Sequence, residues 1–449
     1  MNGFLRCFTM GCGFFIAGMS YASDAAEVSS LLEVYQEAMA SDPRLIRAES
    51  EAAVFQARER YQFGGLLPQM SIGAQGTRTQ RDQSGGMSSA DTEYYNGERY
   101  YASLTQPLYN KSQWEAFRSA KKEAASYVSQ YEEMRSLIAL DVVDRYTQVL
   151  AAQDNYAFVK AEREAIEEQL GLIRARYERK LAKVTDLLAV EARVNTLYAD
   201  EIQAKNTLSI AREGLSELLG RAVEEPLAPL EESITVAWDL GLLSDWLGKS
   251  LEHNSSLQAS RQSLEAAVAA VKQAAGARHP SLSMSLSAQK SDIGFENAQV
   301  PESEVYVAAL NLTIPIYSGG QVSAQVSEAK ARLRIAEQDY EEAQRNLRKR
   351  TRESYLNASS ARQRVNATER AVVSAQASYA AQQKGFEYGT VTAVDVLDAG
   401  QSLYEAKRDF HRAYYDLMLH WLGLQQVSGQ FTPDHIVELN DWLNVAAAH

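Results

Sequence analysis

Cysteine is nearly absent. The 449 residues hold two, Cys7 and Cys12, both in the first dozen. That excludes a disulfide framework or thiol chemistry in the body of the chain. Proline (9) and glycine (25) are sparse for this length, so long stretches run without a helix breaker. Basic residues are the minority, 45 against 58 acids for a formal charge of −13. Phosphates want a cationic face, so nucleic acid is excluded as a partner. No uncharged apolar run reaches the roughly 20 residues of a membrane-spanning helix. His253, His279, His411, His420, His435 and His449 show no paired ligand spacing, and no serine-nucleophile turn or phosphate-cradling glycine loop appears. The reading is therefore not an enzyme, with no catalytic residue, no metal and no cofactor.

What is present begins with an export signal. Arg6 supplies a positive start, Cys7 to Met19 an apolar stretch too short to span, and Ser20-Tyr21-Ala22 small residues before a cut. Residues 1–22 read as a signal peptide. A retained anchor or a lipid-bearing Cys12 are the minor alternatives.

The chain then repeats itself. Leu67-Pro68-Gln69-Met70-Ser71-Ile72 echoes His279-Pro280-Ser281-Leu282-Ser283-Met284, and Leu104 to Tyr109 echoes Leu312 to Tyr317. Tyr177 to Leu188 matches Phe386 to Leu397, with Asp186 on Asp395. Residues 23–219 form a first repeat, 220–239 a linker with Pro226, Pro229 and several acids, 240–430 a second repeat, and 431–449 a tail.

Each repeat opens with a helix, Val28 to Phe63 or Leu240 to Ala277, followed by two strands of period two. Met70, Ile72 and Ala74 oppose Ser71, Gln75 and Thr77. Leu282, Met284, Leu286 and Ala288 oppose a row of serines. Tyr100 to Gln106 and Val305 to Ile314 complete the pairs around polar loops, Arg81 to Glu98 and Ser291 to Glu302. Strands of about ten residues with an apolar outer face suit an outer-membrane barrel. Four strands cannot close, and an open edge in hydrocarbon leaves backbone groups unpaired. Two copies would give a tight eight-stranded barrel, whereas three give twelve strands and a usable pore. Lys111 to Arg179 and Val322 to Phe386 each read as one helix of about 100 Å. The helices flanking them are about half as long. One long helix thus matches two short ones end to end, in a rod of coiled-coil packing with stripes such as Ile138, Val142, Tyr146 and Val149.

These residues resemble the TolC family of outer-membrane export channels. The marks are Leu66-Leu67-Pro68, Gln106-Pro107-Leu108-Tyr109, Gln148 to Asn155, Gly389-Thr390-Val391-Thr392 and Val394 to Ala399. The resemblance covers nearly all of the chain and lies closest to the TolC and type I secretion branch. It implies a mainly α fold with a small transmembrane β part. Three copies would form a trimeric α-helical barrel joined to a twelve-stranded β-barrel, four strands per protomer. It also implies an outer-membrane location in a Gram-negative bacterium, contact with outer-membrane lipid, and a duct reaching through the periplasm. The partners implied are a periplasmic adaptor (membrane fusion) protein and an inner-membrane ABC or proton-driven pump, for protein secretion or multidrug efflux. The alternative is a soluble periplasmic rod or adaptor without a pore, which leaves the two lipid-ready strand pairs unexplained.

Asp395 and Asp398, spaced to share a helix face, match the family's tunnel-entrance aspartates. On a threefold axis they would form an acidic ring that attracts cations and raises its own pKa values by repulsion. Thr392 with Asp395 three residues on also reads as a helix cap. In the first repeat Asp186 matches Asp395, but Ala189 stands where Asp398 would be. Where the family latches its entrance with a tyrosine and an arginine, this chain has Phe386 and Val391, neither able to make that polar link. The turns Lys180 to Asp186 and Gly389 to Asp395, with Lys180, Lys183, Gly389 and Thr390, are where an adaptor would dock. The basic patch Arg345, Arg348, Lys349, Arg350 and Arg352 reads equally as an ion-pair face between subunits or as a binding site.

Overall fold

The structure, a computed structural model, describes residues 29–83, 91–229, 240–292 and 302–443. The expected export signal lies outside them, as do residues 230–239 of the expected linker and 444–449 of the expected tail.

The first repeat begins with α1 (Leu31–Ser41) and α2 (Pro43–Gly64), where a single helix is expected from the sequence. The break is chemical. Asp42 ends α1 and caps α2, accepting from the Arg44 amide at 2.7 Å, and Pro43 takes the first helical position, where its missing N–H costs nothing. Two strands follow, β1 (Gln69–Gln83) and β2 (Asp91–Asn110), then α3 (Lys111–Glu178) and the returning α4 (Val184–Leu219). The second repeat runs α5 (Leu243–His253), α6 (Ser255–Gly276), β3 (Ser281–Asp292), β4 (Ser303–Thr313), α7 (Gln321–Glu387) and α8 (Ala393–Val427). Its first helix is also broken, at Asn254, which caps α6 by accepting from the Leu257 amide at 2.9 Å. The 68 residues of α3 and 67 of α7 are each about 100 Å long.

The four strands make one antiparallel sheet in the order β1-β2-β3-β4. Each is rooted on one helix, and the helices keep the same order: near the sheet α2 packs on α3, α3 on α6 and α6 on α7. Toward the other end the order is α4, α3, α8, α7. The edge strands β1 and β4 therefore stand over the edge helices α2 and α7. Strand β2 is far longer than Tyr100 to Gln106, because the polar stretch from Asp91 continues the ladder with β1. Pro107, which has no N–H to give, sits where the β2–β3 register shifts.

Serine hydroxyls stitch α3 to α6 at seven-residue intervals. Ser112, Ser119 and Ser126 donate to the carbonyls of Gln273, Ala266 and Ala259 at 3.2, 3.0 and 2.9 Å. Such a heptad step is that of a left-handed coiled coil. At the top of this seam a Cβ on Gly276 would meet the Ser112 nitrogen at 2.8 Å, so only glycine permits the approach.

The largest apolar core lies midway, where α1, the middle of α3, the ends of α4 and α8, and the tail converge. Tyr146 is fully buried there; its hydroxyl donates to the Ser29 carbonyl (3.0 Å) and accepts from the Ala228 amide (3.1 Å). Ser29 also bridges Leu227 as a short parallel pair. The tail forms α9 (Asp434–Asn440), which packs on α1 through Ile436 and Leu439.

Candidate functional site

The two faces of the sheet differ in kind. Met70, Leu104, Leu286 and Ala308 stand in one cross-strand row, and Ile72, Ala102, Ala288 and Tyr306 in the next. Met70, Ile72 and Tyr306 are 70%, 77% and 77% exposed, an apolar face that none of the described residues covers. The opposite face carries Ser71, Ser103 and Ser287 in a row that ends on Val307 of β4. Ser71 and Ser103 hydroxyls lie 2.7 Å apart, and Asn311 donates to the Ser285 hydroxyl at 3.1 Å. On this face the Tyr101 ring lies across Gly73, where a Cβ would come within 2.3 Å of it.

At the far end the helices turn twice, by the same device. Lys180 and Gly389 both adopt left-handed backbone, φ 59° and 75°. The next amides, Leu181 and Thr390, return to the carbonyls of Arg176 and Gly385 at 2.8 and 2.9 Å, the six-to-one bond of a helix C-terminus. Lys180 bears the strain of that conformation with a side chain attached. Lys180, Lys183, Gly389 and Thr390 are all exposed on these turns, together with Leu181 (73%) and Tyr388 (82%). The last two are apolar groups in water that motif reading passed over, although apolar residues beside turn signals were visible.

The return helices start differently. Thr392 opens α8 with a complete capping box: its hydroxyl accepts from the Asp395 amide (3.2 Å), while its own amide (2.7 Å) and hydroxyl (2.6 Å) donate to the Asp395 carboxylate. Lys183 opens α4 with no side-chain cap. The hydrogen bonds from the Thr392 side chain, then from its backbone, hold the Asp395 carboxyl below its ordinary pKa. Within one chain the shift thus runs opposite to that expected of a crowded ring, which needs the neighbouring copies. Asp398 is exposed one turn further on, while Asp186 is half-buried in the first turn of α4. Among the described residues no hydrogen bond or ion pair joins Asp186 to either.

The structure does bring Phe386 to a cation. The Arg176 guanidinium on α3 lies 4.7 Å from its ring centre, so the α3–α4 and α7–α8 hairpins meet through a cation–π contact. Below it Phe386 packs on Ile173, Val190, Ala393 and Leu397. Val391 closes the second turn against Gly385, where a Cβ would touch its methyls at 3.1 Å. Higher up, two carboxylates of α3 reach α8. Asp154 accepts from the Tyr415 hydroxyl at 2.6 Å and lies 2.8 Å from His411 Nδ1; buried Glu162 is bonded by Arg193 of α4 at 2.5 Å, with Arg408 of α8 at 3.7 Å.

The family model for outer membrane efflux proteins matches residues 34–221 and 246–430, one match in each repeat. The outer membrane protein TolC of Vibrio cholerae is 31% identical over 96% of this chain and 98% of its own, and TolC of Escherichia coli K12 is 30% identical over 96% and 88%. The alkaline protease secretion protein AprF of Pseudomonas aeruginosa is 28% identical over 89% of this chain and 84% of its own. Among solved structures, CusC has a TM-score of 0.77 at 17% identity, covering 90% of this chain and 93% of that one. The outer-membrane channel OprN has 0.76 at 17%, covering 96% and 99%; at such identity the likeness speaks for the fold. With both repeats matched and relatives aligned along nearly their whole length, the chain belongs to the outer membrane efflux protein family and resides in the outer membrane.

Proposed function

We propose that three copies of this chain form the outer-membrane exit duct of a tripartite export system. The observation that carries this reading is the open four-stranded sheet, apolar on one face and hydroxyl-lined on the other, whose unpaired edges stand over the two edge helices. Lipid demands that such edges be paired, and the partner able to do so in register is another copy. Three copies give twelve strands around a polar lumen. The duct is passive and performs no covalent chemistry. A periplasmic adaptor docks on the exposed turns at Lys180, Lys183, Gly389 and Thr390, and an inner-membrane pump supplies the energy. AprF is by name a protease secretion protein, so protein cargo is within the reading alongside small-molecule efflux. A pore-free soluble rod is disfavoured by the exposed apolar rows of the sheet.

In this duct Asp395 and Asp398 gate the tip. Thr392 keeps Asp395 ionised, so each copy brings a fixed negative charge to a narrow ring. Single-channel recording in planar bilayers tests this. The expected result is a cation-selective conductance whose selectivity is lost in Asp395→Ala with Asp398→Ala. Conductance with unchanged selectivity would remove the site assignment, and no conductance from a trimeric sample would remove the duct.

A further inference from the structure

The duplication fixes a register. Asp186 falls on Asp395 and Gly220 on Gly429, an offset of 209 in each, and both glycines end their helices with φ 71°. At the same offset the long helices bury equivalent positions: Ile138 and Leu347, Val142 and Thr351, Val149 and Ala358, Ala152 and Ala361. Within the chain, α3 of the first repeat packs on α6 and α8 of the second. The same step taken again sets α7 against α2 and α4 of the next copy, since α7 and α2/α4 are the two edges of the helix layer among the described residues, with α5 covering only one side of α7.

The two seams then differ in chemistry. Inside the chain, Gln426 of α8 donates to the Glu133 carboxylate (3.0 Å) and lies 3.4 Å from the Ser136 hydroxyl of α3. The equivalents of Gln426, Ser136 and Glu133 are Glu217, Arg345 and Glu342, so Glu217 meets an opposite charge at Arg345, which offsets the like charge of Glu342 beside it. Glu217 and Arg345 stand far out in the single chain, 76% and 75% exposed. Each already holds one local partner, Arg145 for Glu217 at 3.1 Å and Glu341 for Arg345 at 2.5 Å. Lower down the change is reversed. Asp154 and His411 become Gln363 and Ile202, and Glu162 and Arg408 become Ala371 and Ala199. The two edges there carry Tyr198, Ile202 and Ile210 on α4 and Leu356 and Val373 on α7, all 57–67% exposed, which a second copy would cover.

Resting on the trimeric reading above, we infer that Arg345 of one copy pairs with Glu217 of the next. The pair sets the register of a seam between copies whose lower part carries exposed apolar side chains. Joined to their local partners, the four side chains alternate in sign: Arg145, Glu217, Arg345, Glu341. Apolar contacts alone slide easily, and a charged pair at one level specifies the register.

Cross-linking tests the pairing in the full chain with Cys7→Ala and Cys12→Ala. Arg345→Cys with Glu217→Cys, treated in membranes with a short bismaleimide, is expected to give linked dimers and trimers on denaturing gels. Arg352→Cys with Glu217→Cys, two turns or about 10 Å lower, is expected to give few. A strong link only at Arg352, or none at Arg345 in a protein that native mass spectrometry shows to be trimeric, would overturn the pairing and leave the trimer standing. A monomer by mass would overturn both. Charge reversal adds a second readout. Arg345→Glu alone is expected to lower the temperature at which the trimer dissociates, and adding Glu217→Arg to restore it; failure of the double variant to recover would contradict an ion pair.

Discussion

At the residue scale, the capping box at Thr392 was readable from spacing alone, because a threonine three residues before an acid at a helix start has one dominant use. The contact between Arg176 and Phe386 was not, since the residues are brought together only when two hairpins pack. Phe386 cannot make a polar link, yet its ring face accepts a guanidinium, and that option is invisible when residues are sorted into polar and apolar. The cap has a pH signature. A carboxyl whose folded pKa lies below its ordinary 3.8 contributes stability above that value and loses it as pH falls through the folded value. The protection factors of the Thr392 and Asp395 amides against hydrogen exchange should fall on such acidification, and Thr392→Ala should remove that of Asp395 already at neutral pH. Unchanged protection in that variant would show that the cap does not hold the turn. At the opposite extreme of burial, Tyr146→Phe strips the Ala228 amide of its hydroxyl partner and should cost about 1–3 kcal/mol, seen as a lower melting temperature. An unchanged melting temperature would mean that the linker is held by other contacts.

Among elements, the long helices and their lengths followed from the scarcity of breakers, and the strand pairs from period-two alternation. The breaks at Asp42 and Asn254 were missed because an acid or amide can sit within a helix as well as cap one; Pro43 after Asp42 was the cue that could have decided the first. The extension of β2 through Asp91 was missed because polar residues read as loop, although a strand rising beyond lipid has no need to be apolar. The tail gave no signal by itself and takes its role from packing against α1. Two helical glycines separate packing from propensity. Gly276→Ala places a methyl against the Ser112 backbone and should destabilise by about 1–3 kcal/mol. Gly171→Ala meets open space and should stabilise by up to about 1 kcal/mol. Thermal melting of both variants checks the pair, and equal effects would show that the α3–α6 approach is slack.

For the whole molecule, duplication and hydrogen-bond accounting carried most of the architecture. Two similar halves lay helices and strands in matching order, and four strands in lipid oblige other copies to complete them. The pairing proposed between copies shows at no single position, because each looks ordinary until the two halves are set in register. The measurement that bears most directly on this account is the mass of the particle extracted from outer membranes in mild detergent, by native mass spectrometry. Closure into a twelve-stranded pore predicts three chains per particle, stable to salt. A particle of one or two chains, or protein released from the membrane by salt alone, would contradict it.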